Sequence, residues 1–71
     1  MIDIIEQAEY NIISEFEDQI YAEKGQSKIW VFTDGSGINW NKKGWQALQH
    51  TEIHNDLALV LKMINFFWSE K

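Results

Sequence analysis

The chain contains neither cysteine nor proline. Without cysteine there is no disulfide to brace the fold and no zinc–thiolate site, and the composition suits a reducing compartment. Without proline there is no cis-proline switch and no proline-rich linker. No apolar run is long enough to span a bilayer, the longest being Leu57 to Leu61. A basic leader segment is also missing, because Asp3 and Glu6 interrupt the first apolar stretch. The expectation is a cytoplasmic protein that does not engage a membrane. Internal repeats and low-complexity segments are absent too. The 71 residues make a single domain, 1–71, and a chain of this size buries only about 60% of its unfolded surface.

What is present centres on Lys28 to Gln49, KIWVFTDGSGINWNKKGWQALQ, which holds three of the four tryptophans. Lys28 to Thr33 is a run of β-branched and aromatic residues that suits a pleated surface. Asp34-Gly35-Ser36-Gly37 breaks it, with side chains that bond nearby backbone and glycines that accept positive φ. Ile38-Asn39-Trp40 resumes the alternation. Asn41-Lys42-Lys43-Gly44 then fits a type I turn ending in a left-handed residue at Gly44. Such a turn places Trp40 opposite Trp45 as a cross-strand pair, with Trp45 to Gln49 as the third strand. Alternation puts Ile38, Trp40, Trp45 and Ala47 on one face. It puts Ile29 and Val31 on one side of the first strand, Trp30 and Phe32 on the other. A strand apolar on both sides is usually covered on both.

Helical spacing flanks this tryptophan-rich hairpin. Ile2, Ile5, Ala8, Ile12, Ile13, Phe16 and Ile20 recur at steps of three and four, which predicts one amphipathic helix from Asp3 to Glu23 ending at Lys24-Gly25. After Thr51 and Asn55, both candidate N-caps, a second helix is predicted from Leu57 to about Ser69. Its stripe is Leu57, Val60, Leu61, Ile64, Phe67 and Trp68, and Leu59, Met63 and Phe66 make most of the remaining circumference apolar as well. The fold expectation is α+β: a three-stranded antiparallel meander flanked by an N-terminal and a C-terminal helix (α-β-β-β-α), both helices on one sheet face.

Charge is unevenly spread. Residues 1–24 hold seven acids against Lys24 alone, and the whole chain carries −5. Placed on one helix, Asp3, Glu6, Glu9, Glu17 and Asp18 form an acidic face for a basic protein partner, a surface that could imitate the phosphates of a nucleic acid. The same charge disfavours direct binding of nucleic acid or anionic membrane. Stacking of unpaired bases on the tryptophans would need a basic groove, and Lys28, Lys42 and Lys43 are its only candidates.

Two groupings invite a chemical reading. His50 and His54 are four apart, a helical metal-ligand spacing, but His-Thr-Glu-Ile-His misplaces the base of the His-Glu-x-x-His order. Thr33-Asp34-Gly35-Ser36 at the end of an apolar strand, followed by Gly44-Trp45-Gln46-Ala47-Leu48 and by Asp56-Leu57, resembles the ribonuclease H family. That resemblance implies Asp34 and Asp56 as magnesium ligands. It covers a minor part of the chain, and a two-metal site needs more converging carboxylates than these two. The residue-level reading of Asp34 is a turn former.

These observations predict a small acidic, non-enzymatic protein-binding module without metal or cofactor. It would be an inhibitor or antagonist presenting its acidic helix to a basic, nucleic-acid-binding protein. The alternatives are a structural homo-oligomer subunit and a nucleic-acid-associated protein with a truncated ribonuclease H-like strand. A homodimer is expected through Trp30, Phe32, Phe66 and Trp68, because two elements carry more apolar surface than a small monomer can bury.

Overall fold

The computed structural model describes residues 1–42, 48–53 and 56–69, with the side chains of residues 42 and 67–69 left out of the description. The described chain runs α1 (Ile2–Gln7), β1 (Asn11–Glu15), β2 (Gln19–Lys24), β3 (Ser27–Phe32), β4 (Gly37–Lys42), β5 (Gln49–Glu52) and α2 (Leu57–Ser69). The strands form one antiparallel sheet whose spatial order is the chain order, β1-β2-β3-β4-β5. The class is α+β, but the sheet has five strands where three are predicted.

The largest correction falls on residues 3–23. The helix stops at Gln7, and the rest of the segment is a hairpin. The stop is a Schellman motif: Tyr10 N–H donates to Ile5 C=O and Glu9 N–H to Glu6 C=O, with Glu9 in the left-handed region at φ 71°. Tyr10 and Ile5, the two residues whose contact accompanies that motif, are both buried. Beyond the stop, Ile20 and Ala22 are buried while Tyr21 and Glu23 are only partly so, the period of two that marks a strand. Steps of three and four can be read through these same isoleucines, and no glycine marks the break.

The hairpins set the register. Phe16 N–H donates to Gln19 C=O across the β1–β2 turn at 2.8 Å, and a bulge lies between Ile12 and Ser14. Lys24 faces Ser27 across Gly25-Gln26. Gly25 at φ +61° is the only residue of that two-residue loop with positive φ, the sign pattern of a type II′ turn. Gly25 therefore turns a hairpin and does not cap a helix. In the β3–β4 turn, Ser36 N–H donates to Asp34 Oδ1 at 2.9 Å and Gly35 takes φ +80°. Between β4 and β5, Trp40 faces Gln49. Asn41 and Lys42 continue β4 and pair with β3, so the predicted turn does not begin at Asn41 and Trp40 does not face Trp45. Lys43 to Ala47, Trp45 included, lie outside the described residues. The last strand contains Gln49–Glu52 and shares only Gln49 with the predicted one. Thr51 is consequently a strand residue.

One core joins the helices to one face of the sheet. Ile20, Ala22, Ile29, Val31, Ile38 and Trp40 from β2, β3 and β4 cluster with Ile5, Leu57, Val60, Leu61 and Ile64. Alternation thus places these aliphatic side chains inward, and both helices lie on that face. Trp40 Nε1–H donates to Thr51 Oγ1 at 3.0 Å, which satisfies the indole while its body is buried. Asp56 caps α2: its Oδ1 accepts from Ala58 N–H at 3.0 Å and its C=O from Val60 N–H. Asn55, the other predicted cap, lies outside the described residues. No helix among the described residues is long and apolar enough to cross a membrane.

Candidate functional site

The face of the sheet away from both helices carries the other half of each alternation. Register aligns Tyr21, Trp30, Asn39 and His50 in a row across four strands, with Phe32 and Lys28 two residues either side of Trp30 on β3. Tyr21 and Trp30 stack at 5.1 Å between ring centroids, 27° apart. A pair of this kind contributes about 0.5–1.5 kcal/mol beyond area burial. Phe32 meets the His50 ring at 6.3 Å with a tilt of 56°.

Each ring is held. The Tyr21 hydroxyl donates to Glu23 Oε2. Burial first, and then the adjacent carboxylate, push that hydroxyl up to about 12. The His50 Nδ1 lies 2.6 Å from Asn39 Oδ1. An amide oxygen only accepts, so Nδ1 is the donor in this contact. Gly37 makes room for this ring: a Cβ there would stand 2.8 Å from His50 Cε1. Any larger residue at position 37 would displace the imidazole.

The predicted acidic residues do not lie along one helix, because α1 ends at Gln7. Asp3 and Glu6 are exposed on α1, Glu9 holds the helix stop, and Glu17 and Asp18 sit in the β1–β2 turn. Glu9 is ion-paired with Lys24 at 3.7 Å. The backbone carbonyls of Glu17 and Asp18 accept from the Thr33 hydroxyl and Thr33 N–H. Thr33 also lines a pocket with Asp3, so the β1–β2 turn lies beside the start of α1.

The predicted self-association residues divide as well. Trp30 and Phe32 belong to the helix-free sheet face. Phe66 is 66% exposed on α2, in the layer on the opposite side of the sheet. The Trp68 side chain lies outside the described residues. On α2, Leu59, Met63 and Phe66 are all more than half exposed, and their spacing makes one stripe.

Asp34 is exposed, and its bonds to Ser36 hold its carboxyl below the usual range. Asp56 caps α2. Both predicted candidates for magnesium ligation therefore have defined local roles, and no group of three potential metal-ligating side chains occurs among the described residues. His50 is in a strand, so the helical spacing to His54 does not apply, and His54 lies outside the described residues. Sequence spacing alone does not bring Tyr21, Asn39 and His50 onto one surface. The alternation of Ile20-Tyr21-Ala22-Glu23 is the signal that could have placed Tyr21 beside Trp30.

Protein-family models, curated proteins and solved structures all gave no match to this chain.

Proposed function

We propose that this is a non-enzymatic protein-binding module whose contact surface is the helix-free sheet face around Tyr21, Trp30, Phe32, Asn39 and His50. The observation that carries the reading is the row Tyr21, Trp30, Asn39 and His50, three rings and an amide across four strands, on a face that neither helix covers. Aromatic residues at the centre of a surface, ringed by polar ones, have the make-up of a binding hot spot. Glu23 and Glu52 share this face with Lys28, and the chain as a whole carries −5. The partner that fits is a protein with an apolar patch edged by lysine and arginine. Occupying such a patch on a nucleic-acid-binding protein would make the module an antagonist. A base-stacking platform fits less well: Tyr21 and Trp30 spend one ring face on each other, and among the described residues the face lacks the basic groove that a phosphate backbone needs.

The test is affinity capture with the parent chain and with Trp30→Ala/Phe32→Ala, after circular dichroism has confirmed that the variant is folded. Proteins retained by the parent should be lost with the variant and released by moderate salt. Retention indifferent to both changes would reject the surface.

A second reading is favoured by the stripe of Leu59, Met63 and Phe66 on α2. Two copies could bury it by packing α2 against α2 about a twofold axis. Sedimentation at micromolar concentration decides it: a single species of monomer mass rejects this assembly, and a dimer abolished by Phe66→Glu supports it.

A further inference from the structure

We propose that the groove between α1 and α2 binds a small organic monoanion, a carboxylate on a short apolar body. The groove has a volume of about 450 Å³, within the range of pockets that hold small molecules. Ile4 of α1, Ala8 just beyond it and Ala58 of α2 supply apolar wall, while Gln7, Glu9, Lys24, Lys62 and Asn65 bring polar groups to the same space.

The chemistry of those groups selects the ligand. Lys24 reaches in from the end of β2. Its Nζ donates to Ala8 C=O at 3.3 Å, lies 3.7 Å from Glu9 Oε2 and stands 5.7 Å from the Tyr10 ring centroid. An ammonium has three protons. One goes to Ala8, and the contact with Glu9, whose side chain is 81% exposed, is of the weak, solvent-screened kind. An incoming carboxylate can therefore take its place. Lys62 is an exposed second ammonium on the facing helix. The amide of Asn65 is oriented by the core: its Oδ1 accepts from the Tyr10 hydroxyl at 2.7 Å, which leaves its NH₂ as donor. The groove thus offers two ammoniums and an amide donor against the single carboxylate of Glu9, in a chain that is otherwise strongly acidic. One negative charge satisfies that set. A polyanion would meet Glu9, and a neutral ligand would gain nothing from the charge of Lys62.

The site is independent of the sheet face, so the two readings stand or fall separately. The probe is sodium octanoate, titrated below its micelle concentration into isotope-labelled protein while amide shifts are followed, with 1-octanol as the uncharged control. Saturable shifts should concentrate at Ala8, Lys24, Ala58 and Asn65, and 1-octanol should bind at least tenfold more weakly. Lys62→Gln should weaken octanoate about tenfold, the loss expected for one charge-assisted hydrogen bond. Lys24→Gln should weaken it as much or more. Since Lys24 also holds the end of α1, Lys62→Gln on the exposed helix surface decides the matter if the Lys24 variant does not fold. Linear shifts without saturation, equal binding of 1-octanol, shifts centred on Trp30 and Phe32, or unchanged affinity in Lys62→Gln would each overturn the site.

Discussion

Along β3 the two faces of one sheet alternate residue by residue. Ile29 and Val31 are completely buried, while Trp30 and Phe32 between and beside them remain partly open. The inward side chains are branched aliphatics that interlock with α1 and α2. The outward ones are rings that lie against each other and against His50. On the inward face the strands are held to a second layer. On the outward face, among the described residues, side chains cover only their neighbours in the same sheet. A solvated sheet face is ordinarily polar; this one has aromatic rings at its centre. The contrast separates residues that make the fold from residues that the fold displays.

The sharpest way to break that distinction is to truncate adjacent residues of β3. Ile29→Ala should cost about 2–5 kcal/mol, since its cavity opens in a layer that cannot close up. Trp30→Ala, one residue on and with far more atoms removed, should cost only about 1 kcal/mol, mainly the stacking with Tyr21. Urea titrations of the two variants check this, and equal losses would mean that the outward face is structural.

The two tyrosines sharpen the comparison, because one lies on each side. Burial drives the Tyr10 hydroxyl far above its ordinary range, whereas Tyr21 reaches about 12. In both cases the folded protein favours the protonated form over an unfolded chain whose tyrosines ionise near pH 10. The stability they contribute is therefore complete below pH 10; the Tyr21 part is lost as pH rises through 12, and the Tyr10 part only at higher pH. An ultraviolet titration should show Tyr21 ionising first, a step missing in Tyr21→Phe, with Tyr10 ionising only as the chain unfolds.

The smallest effect concerns the helix that covers the inward face. Glu9 holds a left-handed conformation that costs a residue with a Cβ about 1 kcal/mol, and its ion pair with Lys24 is too exposed to offset much of that. Glu9→Gly should stabilise by somewhat less than 1 kcal/mol, read as a small rise in melting temperature. A fall would mean that the ion pair matters more than the strain.

Legibility in the sequence followed the same physical lines. α2 was readable because its stripe, its length and the absence of breakers agree, and its bounds Leu57–Ser69 coincide with the predicted ones. The cap is Asp56 and not Thr51, which lies in β5. The faces of β3 and the start of β4 followed from strict alternation. β1 and β2 were hidden because α1 is ended by Glu9 and not by glycine, and because Phe16 to Gln19 turns the chain without glycine or proline. The isoleucines on either side then fit helical spacing by coincidence. The β4–β5 register was misjudged because Gly44 and the flanking tryptophans suggest a shorter hairpin than the pairing of Trp40 with Gln49 allows. The candidate surface is half visible: the apolar alternation of β3 marks Trp30 and Phe32, but Tyr21 and His50 join them only through register.

The identity of sheet order and chain order has a kinetic consequence. Every strand pairs with its neighbour in sequence, so the sheet can zip up hairpin by hairpin with only short loops to close, a route that favours fast folding. The bond from Tyr10 to Asn65 is different, since it joins residues 55 apart and must wait for α2 to arrive. Contacts of that late kind govern how long the native state lasts more than how quickly it forms. The meander thus sets the pace of assembly, and the clasp between the two ends of the chain sets its lifetime.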